Sequence, residues 1–120
     1  MDTKRLALIA AEAIDRNKGT DIMIIDIAEK SSFADYFILA SGRNERQIGA
    51  LRDDVEDALA EAGMLVKSIE GKKESGWILM DYGDIIVNIL TEEMRERYNI
   101  EKVWADCETV PREEQHGKKI

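Results

Sequence analysis

The chain has 120 residues, of which 44% are hydrophobic, and its 17 lysines and arginines against 25 aspartates and glutamates give a formal net charge of −8. This length allows one domain with a real core. The acidic balance argues against a protein that holds nucleic acid mainly by neutralising phosphates, and against adhesion to an anionic membrane. A single cysteine excludes an internal disulfide, and no apolar run reaches the length of a membrane helix, so we expect a cytoplasmic protein without a membrane partner.

Hydrophobic periodicity divides the chain into helices and strands. Leu6, Ile9 and Ala13 recur at helical spacing in the first segment, and Asn44 is placed to cap a second, longer helix. Short runs of β-branched residues between the helices are typical of buried strands. The predicted elements in chain order are helix 3–17, strands 22–27 and 36–40, helix 44–62, strands 64–70, 77–81 and 85–90, a helix from Thr91 and a short helix 100–104.

This order predicts a mixed α/β (α+β) domain with a five-stranded sheet and flanking helices. Parallel pairing is expected across the long helix, and a hairpin is expected at the C-terminal side. We expect residues 1–106 to form the single domain and residues 107–120, which are polar, to form a flexible C-terminal tail.

Residues with catalytic potential are few. His116 is the only histidine and lies in the predicted tail, and Cys107 has no histidine in a folded segment to activate it. We therefore predict no catalytic residues, no cofactor and no metal site.

One enzymatic alternative stays open. Ser41 and Gly42 lie between a strand and a helix, where backbone N–H groups can cradle an anion, although the repeated glycines of a phosphate loop are missing. Asp81 and Asp84 are separated by a turn and do not form an obvious convergent metal pair. A residual nucleotidyltransferase that uses Ser41, Gly42 and carboxylates is the alternative that these residues allow.

Four of the seven aromatic residues, Trp77, Tyr82, Tyr98 and Trp104, lie between residues 77 and 104, near carboxylates. Each can close the core, but turn tips and helix ends are poor places to bury a large ring, and exposed Trp and Tyr are frequent hot spots of protein recognition. The surrounding acidic groups favour a basic protein partner and repel a phosphate backbone. The predicted partner-binding residues are Trp77, Met80, Asp81, Tyr82, Asp84, Tyr98, Glu101 and Trp104.

Several segments carry a family resemblance. They are ADYFILASG (34–42) with ERQ (45–47), EG (70–71) with GWILMDYGD (76–84), and YNIEKVWAD (98–106). Together they resemble the ribosomal silencing factor family, also called Iojap, in order over residues 3–106. Asn88 stands where the family pattern usually has histidine, and Leu90-Thr91 replaces the usual end of that strand.

The resemblance implies a nucleotidyltransferase-like fold that lacks the catalytic carboxylates. It further implies a translational repressor that binds the large ribosomal subunit through its fourteenth ribosomal protein and blocks joining of the small subunit, which lowers translation under nutrient limitation. Little direct contact with rRNA is expected from the charge. Organellar relatives are linked to assembly of the large subunit, so an assembly factor is the alternative role. Exposed aromatic residues would also permit a homodimer.

Overall fold

A computed structural model describes residues 2–112, in which helices and strands follow the predicted order. The long elements end within a few residues of the predicted bounds. The helices are α1 (Thr3–Arg16), α2 (Glu45–Glu61) and α3 (Glu92–Tyr98), the strands are β1 (Thr20–Asp26), β2 (Tyr36–Gly42), β3 (Ser68–Glu70), β4 (Trp77–Asp81) and β5 (Ile85–Thr91), and two 3₁₀ segments span Lys73–Ser75 and Ile100–Trp104.

The five strands form one sheet in the order β1-β2-β5-β4-β3, with β2 and β5 parallel and the other neighbours antiparallel. The prediction of a mixed five-stranded sheet with flanking helices is therefore confirmed. The parallel partner of β2 is β5, the second strand of the C-terminal hairpin, and its register runs from Tyr36 opposite Ile85 to Gly42 opposite Thr91.

The third strand is shorter than the predicted 64–70. Met64 donates its backbone N–H to the carbonyl of Leu59 at 2.8 Å, and Gly63 has φ of 91°. These residues complete the end of α2, because a left-handed residue lets the chain reverse and satisfy a terminal carbonyl. Only Ser68–Glu70 then remain to pair with β4.

The start of α2 is fixed by side chains. Asn44 accepts a hydrogen bond from the N–H of Gln47 at 2.8 Å, as predicted for an N-cap. Gln47 accepts from the N–H of Arg43 at 2.6 Å, not from Asn44, and donates to the carbonyl of Lys18 at 3.1 Å. Gln47 therefore joins the start of α2 to the connection that follows α1.

The two faces of the sheet are covered unequally. One face packs against α1 and α2, whose buried residues include Leu6, Ile14, Leu51 and Leu59. The opposite face is covered by α3, the 3₁₀ helix Ile100–Trp104 and the segment around Cys107. Because these elements are short, they leave several large side chains of this second face at the surface.

Arg95 on α3 joins the short elements that cover the second face to the sheet. We call these elements, α3, the 3₁₀ helix Ile100–Trp104 and the segment around Cys107, the thin cover. Its side chain is 8% exposed and donates to the Ser41 hydroxyl at 2.9 Å and to the Asp21 carbonyl at 2.8 Å. Its Nε also pairs with the Glu101 carboxylate at 3.2 Å. One guanidinium thus connects β1, β2, α3 and the 3₁₀ helix, using the fixed fork of donors that arginine provides.

The segment after the 3₁₀ helix is ordered as far as it is described. Asp26 donates its N–H to the carbonyl of Glu108, and Val110 donates to the carbonyl of Ile24, both at 2.8 Å. Thr109 forms an antiparallel bridge with Ile25. We predict a flexible tail from residue 107, whereas the structure pairs the backbone groups of residues 108–110 with the outer edge of β1. Residues 113–120, including His116, lie outside the described part of the chain.

The alternation of β4 decides which side of the sheet its residues occupy. Ile78 and Met80 point to the helical layer, and Tyr82 in the following turn joins them, with exposed fractions of 1%, 0% and 2%. Met80 and Tyr82, which the sequence analysis lists as partner-binding residues, are therefore core residues and present no surface to a partner. Trp77 and Leu79 point to the opposite face, as strand geometry requires.

Replacing Tyr82 with phenylalanine tests this burial. The Tyr82 hydroxyl has no hydrogen-bond partner among the described residues. We expect Tyr82→Phe to raise the free energy of unfolding at neutral pH by about 1 kcal/mol, because an unsatisfied buried hydroxyl is removed. Chemical denaturation measures the change, and a loss of stability would contradict the assignment.

The same variant predicts a pH effect. Burial, with a smaller contribution from the Glu56 carboxylate, raises the pKa of Tyr82 from 10.0 to about 12. The folded state therefore holds the phenolic proton more tightly than the unfolded state. The tighter binding of this proton adds to the free energy of unfolding. The added stability is fully present below pH 10 and is lost as the pH rises through about 12. We expect the alkaline loss of stability in this window to be smaller in Tyr82→Phe than in the wild type.

We expect Arg95→Met and Glu101→Gln to lower the free energy of unfolding by different amounts. Arg95→Met removes the link between four elements and leaves buried acceptors unpaired, so we expect a loss of about 3 kcal/mol in the free energy of unfolding. The Glu101 side chain is 32% exposed, so water can take the place of its carboxylate as the partner of Arg95. We therefore expect Glu101→Gln to cost less than about 1 kcal/mol. Equal losses in urea denaturation would contradict the central role of Arg95.

Candidate functional site

The incompletely covered side of the sheet presents a surface that we call the aromatic face, formed by Phe33, Trp77, Tyr98, Val103 and Trp104. At one end the Trp77 and Tyr98 rings pack with centroids 5.3 Å apart and planes inclined by 44°. Trp77 donates its indole N–H to the side-chain oxygen of Asn88 at 2.9 Å, which fixes the ring. Tyr98 at the end of α3 is 50% exposed.

The other end of the aromatic face is centred on Trp104. Its ring lies 5.7 Å from the Phe37 ring, which is buried on β2, and 6.4 Å from the Phe33 ring. Phe33 is 57% exposed and Val103 is 69% exposed. Two large apolar side chains therefore meet solvent beside a half-buried tryptophan, which is the composition of an interaction hot spot.

An ion pair joins the two segments that carry these residues. Lys30, in the loop before β2, hydrogen-bonds the carboxylate of Asp106, which follows the 3₁₀ helix. This hydrogen bond and the opposite charge raise the pKa of Lys30 and lower the pKa of Asp106. The pair is exposed and adds little stability, but it links the loop of Phe33 to the segment of Trp104.

Carboxylates gather at the hairpin end of the sheet. Asp35 donates its backbone N–H to the carbonyl of Asp84 at 2.8 Å, so these two acidic residues are neighbours. Burial raises the pKa of the nearby Tyr36, and the carboxylates of Asp26 and Asp35 raise it further. The negative potential at this end would attract a basic partner.

The predicted binding residues fall into distinct environments. Trp77, Tyr98 and Trp104 lie together on the aromatic face, and Asp84 is exposed at the acidic end. Asp81 is half-buried, and its carboxylate accepts the N–H of Gly83 at 2.8 Å, which stabilises the hairpin turn. Glu101 is paired with Arg95 and positions the 3₁₀ helix.

The sequence interpretation missed two exposed members of the face, Phe33 and Val103. Phe33 lies in an irregular loop where no periodicity marks a surface, although a phenylalanine directly after Ser31 and Ser32 is itself unusual in a polar loop. Val103 belongs to a segment too short for a hydrophobic pattern to assign a face.

The side chains considered for catalysis have structural surroundings that keep them from a substrate. Ser41 is completely buried, and its hydroxyl accepts the hydrogen bond from Arg95. Cys107 is half-buried beside the second face of the sheet. Within residues 2–112, no group of three or more histidine, cysteine, aspartate or glutamate side chains is arranged to hold a metal ion. No helix in this part of the chain is both long and apolar enough to cross a membrane.

Comparison with known proteins places these features in a family. The family described as ribosomal silencing factor during starvation matches residues 1–119. The ribosomal silencing factor RsfS of Bacillus subtilis is 37% identical over 107 residues, which is 89% of this chain and 91% of that protein. A mouse protein named for mitochondrial assembly of the ribosomal large subunit is 30% identical over 93 residues, 74% of this chain and 40% of its own length.

The fold is shared with a solved structure. A crystal structure of a Chromobacterium violaceum protein superposes with a TM-score of 0.84 at 33% identity, covering 88% of each chain. The family match over residues 1–119 includes every helix and strand that the structure describes. The chain belongs to the ribosomal silencing factor family.

Proposed function

We propose that the protein is a cytoplasmic, non-enzymatic repressor of translation that binds the large ribosomal subunit and blocks joining of the small subunit. The proposed contact on the large subunit is its fourteenth ribosomal protein. The observation that carries the proposal is the aromatic face, an exposed cluster of large apolar side chains held on a rigid sheet. Family membership supports the choice of a ribosomal partner.

The geometry of the aromatic face suits tight protein binding. Trp77 is held by Asn88, and Trp104 packs against Phe37, so neither ring loses much freedom when a partner arrives. An interface of about 800 Å² per partner with a few such anchors reaches sub-micromolar affinity in many complexes. The acidic end at Asp35 and Asp84 would orient a basic ribosomal protein during the encounter.

Repression by this route needs no chemical step. A folded body bound on the surface where two subunits meet prevents their association as long as it dissociates more slowly than they collide. The burial of Ser41 against Arg95 argues against the nucleotidyltransferase alternative, because its hydroxyl is not available to a nucleotide.

A role in assembly of the large subunit is the second candidate. The name of the mouse relative, mitochondrial assembly of ribosomal large subunit protein 1, favours it. The same face could serve both roles, and the two differ in the particle that is bound. A silencer prefers the mature subunit, whereas an assembly factor prefers immature precursors. Self-association through the aromatic face would compete with either partner.

Sedimentation with purified ribosomal subunits tests the proposed function. We expect the protein to travel with the large subunit and not with the small one, and to lower the yield of joined ribosomes in proportion to occupancy. Binding to precursors alone would support the assembly role. Absence of binding to any large-subunit particle would refute both.

Truncation of Tyr98 tests the aromatic face. We expect Tyr98→Ala to weaken binding to the large subunit at least tenfold, about 1.4 kcal/mol, because an exposed aromatic anchor is removed without opening the core. Leu65→Ala is the matched control, since Leu65 is 76% exposed and lies outside this face. Equal effects of the two variants on co-sedimentation would reject the assigned surface.

A further inference from the structure

A cationic groove lies on the helical side of the sheet, whereas the aromatic face lies on the opposite side. The groove has a volume of about 400 Å³, and its basic residues come from α2 and from the turn between β3 and β4. We call this set the basic groove: Arg46, Arg52, Lys72 and Lys73. Asp53 and Glu74 also line it, so cations outnumber anions in a protein that is acidic overall.

The turn that carries the two lysines is firmly built. Gly71 has φ of +83°, and a Cβ there would lie 2.2 Å from the carbonyl oxygen of Trp77. Ser75 donates its hydroxyl to the carbonyl of Lys72 at 2.7 Å, which closes the turn. Lys72 and Lys73 are therefore presented at fixed backbone positions, five and four residues before Trp77 of the aromatic face.

Contact between the turn and α2 completes the groove. A Cβ on Gly49 would lie 3.1 Å from Cδ of Lys73, so the aliphatic stem of Lys73 runs along the helix where Gly49 leaves space. Arg52 pairs with Asp53 at 2.8 Å, whereas Arg46, Lys72 and Lys73 form no ion pair within residues 2–112. Three cations are thus available to a ligand.

Apart from Glu45 in the first turn, the charge order along α2 is opposite to the one that stabilises a helix. Acidic side chains favour the positive N-terminal end and basic ones the negative C-terminal end. In α2 the arginines lie in the first half, the last turn has no basic residue, and five carboxylates crowd the second half. These carboxylates are Asp53, Asp54, Glu56, Asp57 and Glu61. Burial raises the pKa of Asp54, and repulsion from Asp53 and Asp57 raises it further.

Helix stability therefore does not explain this arrangement, whereas binding of an anion in the basic groove would. We infer that the basic groove binds the phosphate backbone of ribosomal RNA while the aromatic face binds a ribosomal protein. Arginines and lysines are the usual partners of phosphate, and arginine can grip it with two parallel hydrogen bonds. The acidic half of α2 disfavours a shifted position on the RNA, because its carboxylates would meet phosphates there.

This inference rests on the proposed function and changes one expectation about it. Little rRNA contact was predicted from the net charge of −8, but net charge does not report how charges are distributed. An acidic protein segment is the other occupant that the charges would accept. RNA is favoured because a ribosomal subunit presents phosphates at high density around any bound protein.

Charge reversal in the turn tests the inference. The variant K72E/K73E is compared with K4E/R5E, which makes the same change in net charge on exposed residues of α1 outside the groove. We expect K72E/K73E to weaken large-subunit binding at least tenfold at low salt and to lower the slope of log affinity against log salt by about 1 to 2. We expect K4E/R5E to leave the slope unchanged, and Tyr98→Ala to reduce affinity without reducing the slope.

A photo-crosslinker attached to Lys73→Cys, in a chain that also carries Cys107→Ser so that no other thiol reacts, identifies the occupant on the subunit. A crosslink to rRNA is the expected result, and a crosslink to an acidic protein segment instead would overturn the inference. If the wild type binds the large subunit and K72E/K73E matches K4E/R5E, the inference fails and the proposed function stands. If the wild type binds no large-subunit particle, the proposed function fails and this inference fails with it.

Discussion

A five-stranded sheet has two apolar faces to bury, and this chain supplies long helices for only one of them. The helices α1 and α2 close the first face into a dry core. The second face depends on a seven-residue helix and a five-residue 3₁₀ segment, which cannot cover it. Tryptophan, tyrosine and phenylalanine side chains consequently stay at the surface on a rigid support. This unequal coverage creates the aromatic face.

Polar contacts attach the thin cover to the sheet, because the apolar area that it buries is too small to keep it in place. Arg95 supplies most of them, through Ser41, the backbone of Asp21 and Glu101. The chain after the 3₁₀ helix then pairs with the outer edge of β1, which fixes the far end of the cover. The same contacts that complete the fold therefore set the positions of Tyr98 and Trp104. Stability and recognition are coupled on this side of the molecule.

Local pattern predicted the elements and the mixed sheet, because helical period, caps and β-branched runs act over a few residues. Strand alternation also limits which residues of β4 can share one face of the sheet. Trp77 and Met80 differ in parity along β4, so they cannot lie on one face of a regular strand. Whether the odd-numbered or the even-numbered residues of β4 face the helices depends on the tertiary packing. The burial of Tyr82 depends on that packing as well.

Other parts of the site depend on contacts that no short window contains. Arg95 reaches Glu101 across a break at Asn99, whose φ is +48°, and reaches Ser41 from 54 positions away. Phe33 becomes part of the face only because its loop folds against Trp104. The basic groove likewise joins α2 to a turn about 25 residues later, which an overall charge of −8 conceals.

The most direct measurement of the central claim is hydroxyl-radical footprinting of the protein, free and bound to purified large subunits. Side chains that the partner covers lose reactivity, whatever the affinity or the downstream effect on translation. We expect strong protection of Phe33, Tyr98 and Trp104, with Leu65 as reactive in the complex as in the free protein. Protection of Leu65 together with unchanged reactivity of the aromatic face would contradict it.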